Sequence, residues 1–175
     1  MKEKLSFEAF YPDPPERVWR ALTDPAALNR WLLPADFEPR IGFRFQFRSL
    51  DRGQGNTVDG IVLEVQEPRR LSYTWDDGED DAPGVVCWTL KPTDGGTHLT
   101  LEHLPAEEPK PYVLIEASVN WNHALYVSLP LLLRLMRGEA RKPPVPVVYV
   151  AEESETNEGP RRRAGFRLEE PTCRS

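Results

Sequence analysis

The sequence predicts an α+β domain in which an antiparallel sheet is closed by a long C-terminal helix, with two short helices between the first and second strands. Three observations predict it. The segment Asp13–Pro34, DPPERVWRALTDPAALNRWLLP, packs two amphipathic helices and their start and stop signals into a short span. Apolar and polar residues alternate through most of the chain from Phe37 to Leu104. From Tyr112 to Arg137 the chain is rich in helix formers, with apolar residues near helical spacing.

Leu5, Phe7, Ala9 and Tyr11 alternate with Lys4, Ser6, Glu8 and Phe10, which marks the first strand. Asp13 is then expected to cap a helix whose first turn holds Pro14 and Pro15, where a missing backbone N–H costs nothing. That helix runs to about Thr23, with Val18, Trp19 and Leu22 on one apolar stripe. Asp24 and Pro25 repeat the start signal. Leu28, Trp31 and Leu32 form the apolar face of a second helix, which Pro34 ends. Helices this short cannot stand alone and must lie on something larger.

Phe43, Phe45 and Phe47 alternate with Arg44, Gln46 and Arg48, a two-faced strand. Further strands follow at Val58–Val65, Leu71–Trp75, Val85–Leu90 and Thr97–Leu104. Turn signals separate them at Gly53 and Gly55, Glu67 and Pro68, Gly78, and Asp94–Gly96. Such short spacings favour antiparallel hairpins. In the last helix Leu114, Ala117, Trp121, Leu125, Ser128, Leu132 and Met136 fall near helical spacing. Pro130 interrupts it, so the helix is expected to bend there or to restart as a second helix capped by Ser128.

This order of elements resembles the START-like (SRPBCC) superfamily, whose fold is called helix-grip. The words VWRALTDPAALNRW, Gly42 with Phe43 and Phe45, GIVLEV followed by Pro68, LSYTW, GGTHLTLEH and Trp121 before a leucine-rich helix resemble the branch homologous to the activator of heat shock protein 90 ATPase. The resemblance covers roughly Leu5 to Arg137. It implies a curved antiparallel sheet of about seven strands wrapped around the C-terminal helix, with a pocket between them that in many relatives holds a hydrophobic small molecule. Relatives include lipid carriers, hormone receptors, cyclases and aromatases, and ATPase activators, so the fold alone does not choose a function.

The chain of 175 residues suggests one domain, residues 1–138, followed by a Pro-rich and charged extension, residues 139–175. The extension carries seven residues of each sign, so the domain holds the whole net charge of −6. An acidic domain argues against nucleic acid as the main partner. No apolar run approaches the ~20 residues of a membrane span, and no secretion signal opens the chain. The expected location is cytoplasmic, without membrane insertion. Cys87 and Cys173 give no disulfide framework, which fits a reducing compartment.

No closely spaced Cys or His pair suggests a metal site, and none is expected, nor any cofactor. His98 and His103 fall on opposite faces of one strand, with His103 on the face of Leu99 and Leu101. His123 sits off the main helical stripe and is expected to face solvent or the cavity lip. The acidic run Asp76, Asp77, Glu79, Asp80 and Asp81 reads as a solvated hairpin tip.

The functional clue is the aromatic content of the inner faces. Trp31, Phe43, Phe45, Phe47, Tyr73, Trp75, Trp88, His103, Trp121 and Leu125 are the candidate lining of a cavity that takes a small hydrophobic molecule. Two other classes compete with such a binding protein: a chaperone-binding module acting through the outside of the domain, and a cyclase- or aromatase-type enzyme in which His103 or Tyr73 moves protons. Nothing in the sequence demands catalysis. In the extension, Val145–Val150 has strand propensity and could add to this sheet or to a second copy.

Overall fold

A computed structural model describes residues 4–48, 57–78, 82–105 and 111–139, with the backbone alone for 111–116. The element order is β1 (Leu5–Tyr11), α1 (Pro15–Thr23), α2 (Pro25–Trp31), β2 (Arg44–Arg48), β3 (Thr57–Gln66), β4 (Arg70–Trp75), β5 (Gly84–Thr93), β6 (Gly96–Leu104), α3 (Pro111–His123), a π-helical segment (Ala124–Ser128) and α4 (Leu129–Met136). The strands form one curved antiparallel sheet in the order β1-β6-β5-β4-β3-β2, the helix-grip arrangement. The sheet has six strands among the described residues where about seven were expected. The turn at Gly53 and Gly55, the acidic residues 79–81 and the extension from residue 140 lie outside the described residues.

The inner face of the sheet follows from the period-two pattern. Ala9 and Tyr11, Phe45 and Phe47, Leu71 and Tyr73, Val86, Trp88 and Leu90, and Leu99 and Leu101 are all buried, as are Val18, Trp19 and Leu22 of α1. In β3, where both faces are apolar, a bulge between Val62 and Glu64 decides the question. Val62 turns inward and Leu63 is left exposed. The hairpin from β5 to β6 needs glycine twice. Gly95 has φ +80°, and a Cβ at Gly96 would lie 2.1 Å from the Tyr11 carbonyl oxygen.

Two capping expectations divide. Asp24 caps α2 through its side chain, which accepts from the backbone N–H of Ala26 at 2.8 Å and of Ala27 at 3.4 Å. Asp13 does not cap α1, whose N-cap is Pro14. Its buried carboxylate instead accepts from Arg17 at 2.8 Å and from Arg137, just beyond α4, while its backbone carbonyl accepts from the Thr97 hydroxyl at 2.6 Å. A charge taken out of water needs close partners, and two guanidinium groups supply more than one helix end could. Asp13 thus joins the start of α1, the end of α4 and strand β6.

The C-terminal helix neither restarts at Ser128 nor needs to. Ser128 is helical and makes no capping hydrogen bond. The backbone N–H of Leu129 reaches back five residues to the Ala124 carbonyl, the π-helical pattern. In that pattern the next bond would run from residue 130 to the Leu125 carbonyl, and Pro130 has no N–H to give. The Leu125 carbonyl is buried, and the Tyr11 hydroxyl donates to it at 2.8 Å. One residue on, the Tyr126 hydroxyl donates to the Glu8 carbonyl at 2.7 Å. Strand β1 and the π segment therefore hold each other through two tyrosines.

Replacing Tyr11 by Phe should cost ~1–3 kcal/mol in urea denaturation, because a buried carbonyl loses its donor. The cost should shrink in a Pro130→Ala background, where residue 130 gains an N–H for the same carbonyl. An equal cost in both backgrounds would refute this account of the π segment.

Candidate functional site

The side chains that meet between the sheet and the helix come from every layer of the fold. Phe45 and Phe47 project from β2, Tyr73 and Trp75 from β4, Trp88 from β5 and His103 from β6. Trp121 of α3, Leu125 of the π segment and Trp31 of α2 face them. Phe45 meets Phe47 at 5.1 Å and Tyr73 at 5.2 Å between ring centroids. Phe47 meets Trp75 at 5.7 Å, and Trp75 meets Trp121 at 5.2 Å. Trp88 lies 5.6 Å from Trp121 and 6.2 Å from Trp31, edge to face. Offset and edge contacts of this kind are the favoured geometries of aromatic pairs.

Polar atoms inside this array are paired in a definite way. Trp31 Nε1 donates to the Ala21 carbonyl at 2.7 Å, which fixes α2 on α1. Trp88 Nε1 donates to the Tyr73 hydroxyl at 2.9 Å. Trp121 Nε1 donates to His103 Nδ1 at 3.2 Å. An indole N–H only donates, so His103 Nδ1 is the acceptor and the ring proton belongs on Nε2. Burial pushes the Tyr73 phenol well above its ordinary range, and it does the same for Tyr11. Both remain neutral hydroxyls at physiological pH.

The structure therefore brings together nine of the ten expected residues, Leu125 through its fully buried side chain and the rest through ring contacts. Phe43 is the exception. It precedes β2, beside Gly42 with φ +80°, and lies half-buried under the Arg40 guanidinium, 5.2 Å from its ring centroid. It packs against the core only in part, at the turn Arg40–Phe43, where its N–H bonds the Arg40 carbonyl while its own carbonyl accepts from the Val62 N–H at 2.9 Å. Trp75 and His103 are half-buried and form the more accessible end of the array.

Phe37 was missed as a site residue. It is buried, 5.0 Å from Phe45 and 5.9 Å from Tyr73. It lies in an irregular segment, so no periodicity marks its direction. That segment is held against the sheet edge by backbone bonds: Arg48 N–H to the Pro34 carbonyl at 3.0 Å and Gln46 N–H to the Asp36 carboxylate at 3.2 Å. A lone phenylalanine after a proline stop was the available signal.

The remaining histidines follow expectation. His98 faces outward, 3.7 Å from Glu8, and His123 is exposed, 3.3 Å from the Ser128 hydroxyl. Among the described residues no group of three His, Cys, Asp or Glu side chains is placed to hold a metal ion. No helix there is long and apolar enough to cross a membrane.

A family model described as Activator of Hsp90 ATPase homolog 1-like protein matches residues 13–133. Among solved structures, protein MLL2253 from Mesorhizobium loti is 34% identical over 76% of this chain and 98% of its own, with a TM-score of 0.67. CalU16 from Micromonospora echinospora is 30% identical over 77% of this chain and 79% of its own, with a TM-score of 0.60. DynU16, from the dynemicin biosynthetic locus, is 22% identical over 79% of this chain and 49% of its own, with a TM-score of 0.65, a likeness of fold alone. No curated protein matches.

Two outcomes check the geometry of the array. A Cβ at Gly60 would lie 2.2 Å from Phe45 Cζ across the β2–β3 ladder. Gly60→Val should therefore displace the ring, lower stability by ~1–3 kcal/mol and alter the near-UV circular dichroism. On titration to alkaline pH, the unfolded chain releases tyrosine protons near the ordinary 10.0 while folded Tyr11 and Tyr73 keep theirs. Stability should be intact below that pH and fall as pH rises beyond it, with tyrosinate absorbance from these two appearing only as the chain unfolds.

Proposed function

Because the chain belongs to the Activator of Hsp90 ATPase homolog 1-like family, we propose that it binds a small hydrophobic molecule between its sheet and its C-terminal helix. The observation that carries this reading is the single aromatic array running from Phe45 to Trp121, which ends at half-buried Trp75 and His103 rather than in a sealed apolar layer. Such a surface suits a flat or greasy ligand, since rings supply large contact area and few polar groups set orientation. The lining proposed for it is Trp31, Phe45, Phe47, Tyr73, Trp75, Trp88, His103, Trp121 and Leu125, with Phe43 at its edge and Phe37 added.

A second reading rests on a separate feature. Val127, Leu131 and Leu135 are exposed along the outer side of the C-terminal helix, and the family description names an ATPase activator. A protein-binding module would use that outer side and leave the aromatic array untouched.

Native mass spectrometry and thermal shift against a panel of neutral aromatic and aliphatic molecules should find at least one stabilising ligand. Leu125→Trp, which enlarges a side chain facing the array, should abolish that shift while Leu131→Asp leaves it intact. The reverse pattern, or a panel without any stabilising compound, would remove the ligand reading.

A further inference from the structure

The polar hydrogens of the aromatic array narrow the chemistry of what it takes. Tyr73 accepts from Trp88 Nε1, so its hydroxyl oxygen is held in place while its own hydrogen has no acceptor among the described residues. It is 2% exposed and lies among Phe37, Phe45 and Phe47 on one side and Trp88 on the other. At the accessible end, the Trp75 indole N–H likewise has no acceptor among the described residues. For buried Tyr73 a donor without an acceptor is an unmet demand, and its cost is recovered when a ligand supplies the oxygen; half-buried Trp75 offers its N–H at the accessible end.

Charge is missing from the same surface. Among the described lining residues there is no carboxylate, ammonium or guanidinium; the one titratable group besides Tyr73 is His103, whose Nδ1 is occupied by Trp121. The Arg40 guanidinium lies over Phe43, outside the array. A ligand carrying a carboxylate or an ammonium would be stripped of water here and gain no opposite charge.

We infer that the array selects a neutral, planar hydrophobic molecule bearing a hydrogen-bond-accepting oxygen, such as a ketone or ether, and that Tyr73 and Trp75 are its specificity-determining donors. This rests on the ligand-binding reading above and adds the ligand's polarity to it. The two polar hydrogens left without an acceptor, the Tyr73 O–H and the Trp75 N–H, are both donors, so an acceptor-bearing ligand satisfies them, and a pure hydrocarbon of equal shape leaves them unpaired.

The test uses four naphthalenes substituted at the same ring position with acetyl, isopropenyl, carboxylate or aminomethyl groups, titrated calorimetrically into the full chain. The acetyl and isopropenyl probes have nearly the same shape and differ in one oxygen. Acetylnaphthalene should bind about three- to tenfold more tightly than isopropenylnaphthalene, and both charged probes more weakly than either. Tyr73→Phe or Trp75→Phe should collapse the ratio by weakening the acetyl probe while the isopropenyl probe is unaffected. Should Tyr73→Phe fail to fold, the wild-type ratio and Trp75→Phe still decide. Equal affinities for the two neutral probes, tightest binding of the carboxylate, or a ratio unchanged in both variants would overturn the inference and leave hydrophobic binding standing. Binding of none of the four would overturn both.

Discussion

The buried carbonyl of Leu125 is the constraint on which the rest of this structure turns. Pro130 cannot donate to it, and the Leu129 N–H is engaged one residue further back at Ala124. In a water-excluded setting the carbonyl must find another donor. Tyr11, at the end of the first strand, supplies it. The partners are separated by most of the domain's sequence, so this one bond ties the last helix to the first strand. The Asp13 carboxylate does similar work two residues later, gripping Arg137 beyond the end of α4. Between them these contacts set where the helix crosses the sheet and hence how Trp121 meets Trp88 and Trp75.

The aromatic array is better understood as a polar circuit set in an apolar surface than as a store of greasy rings. Each of Trp31, Trp88 and Trp121 directs its N–H to a specific oxygen or nitrogen. These bonds fix ring planes that dispersion alone would leave free to tilt. The same circuit assigns the His103 tautomer and orients the Tyr73 hydroxyl. A surface prepared this way has lost little freedom still to be lost on binding, which favours recognition by shape and by a few hydrogen bonds.

Much of this was legible along the chain. The alternation of Leu99, Leu101 and His103 placed the histidine inward, and burial of the two leucines with ring contacts to His103 agrees. The helix stripe Val18, Trp19 and Leu22 is buried as its spacing required. Asp24 and Pro25 start α2 as read. Other features escaped because their causes are not local. Asp13 carried a cap signal, but a guanidinium from far along the chain outcompeted the helix end for its oxygens. Phe43 continues the pattern of Phe45 and Phe47 and packs against the core, but at the turn it is only half-buried, with the Arg40 guanidinium over its ring. Phe37 had no pattern at all, being placed by hydrogen bonds between Pro34–Asp36 and the sheet edge.

The sequence by itself determined the elements, their order, the inward face of most strands and the concentration of aromatic residues on that face. These depend on periodicity and on turn and cap chemistry, which act over a few residues. Tertiary structure decided which donor meets which acceptor: Tyr11 with Leu125, Trp88 with Tyr73, Trp121 with His103. It also decided that a π segment would precede Pro130, with no cap from the Ser128 side chain. A hydrogen bond such as Tyr11 to Leu125, 114 residues apart, is specified by the meeting of two surfaces, and no local pattern encodes where those surfaces meet.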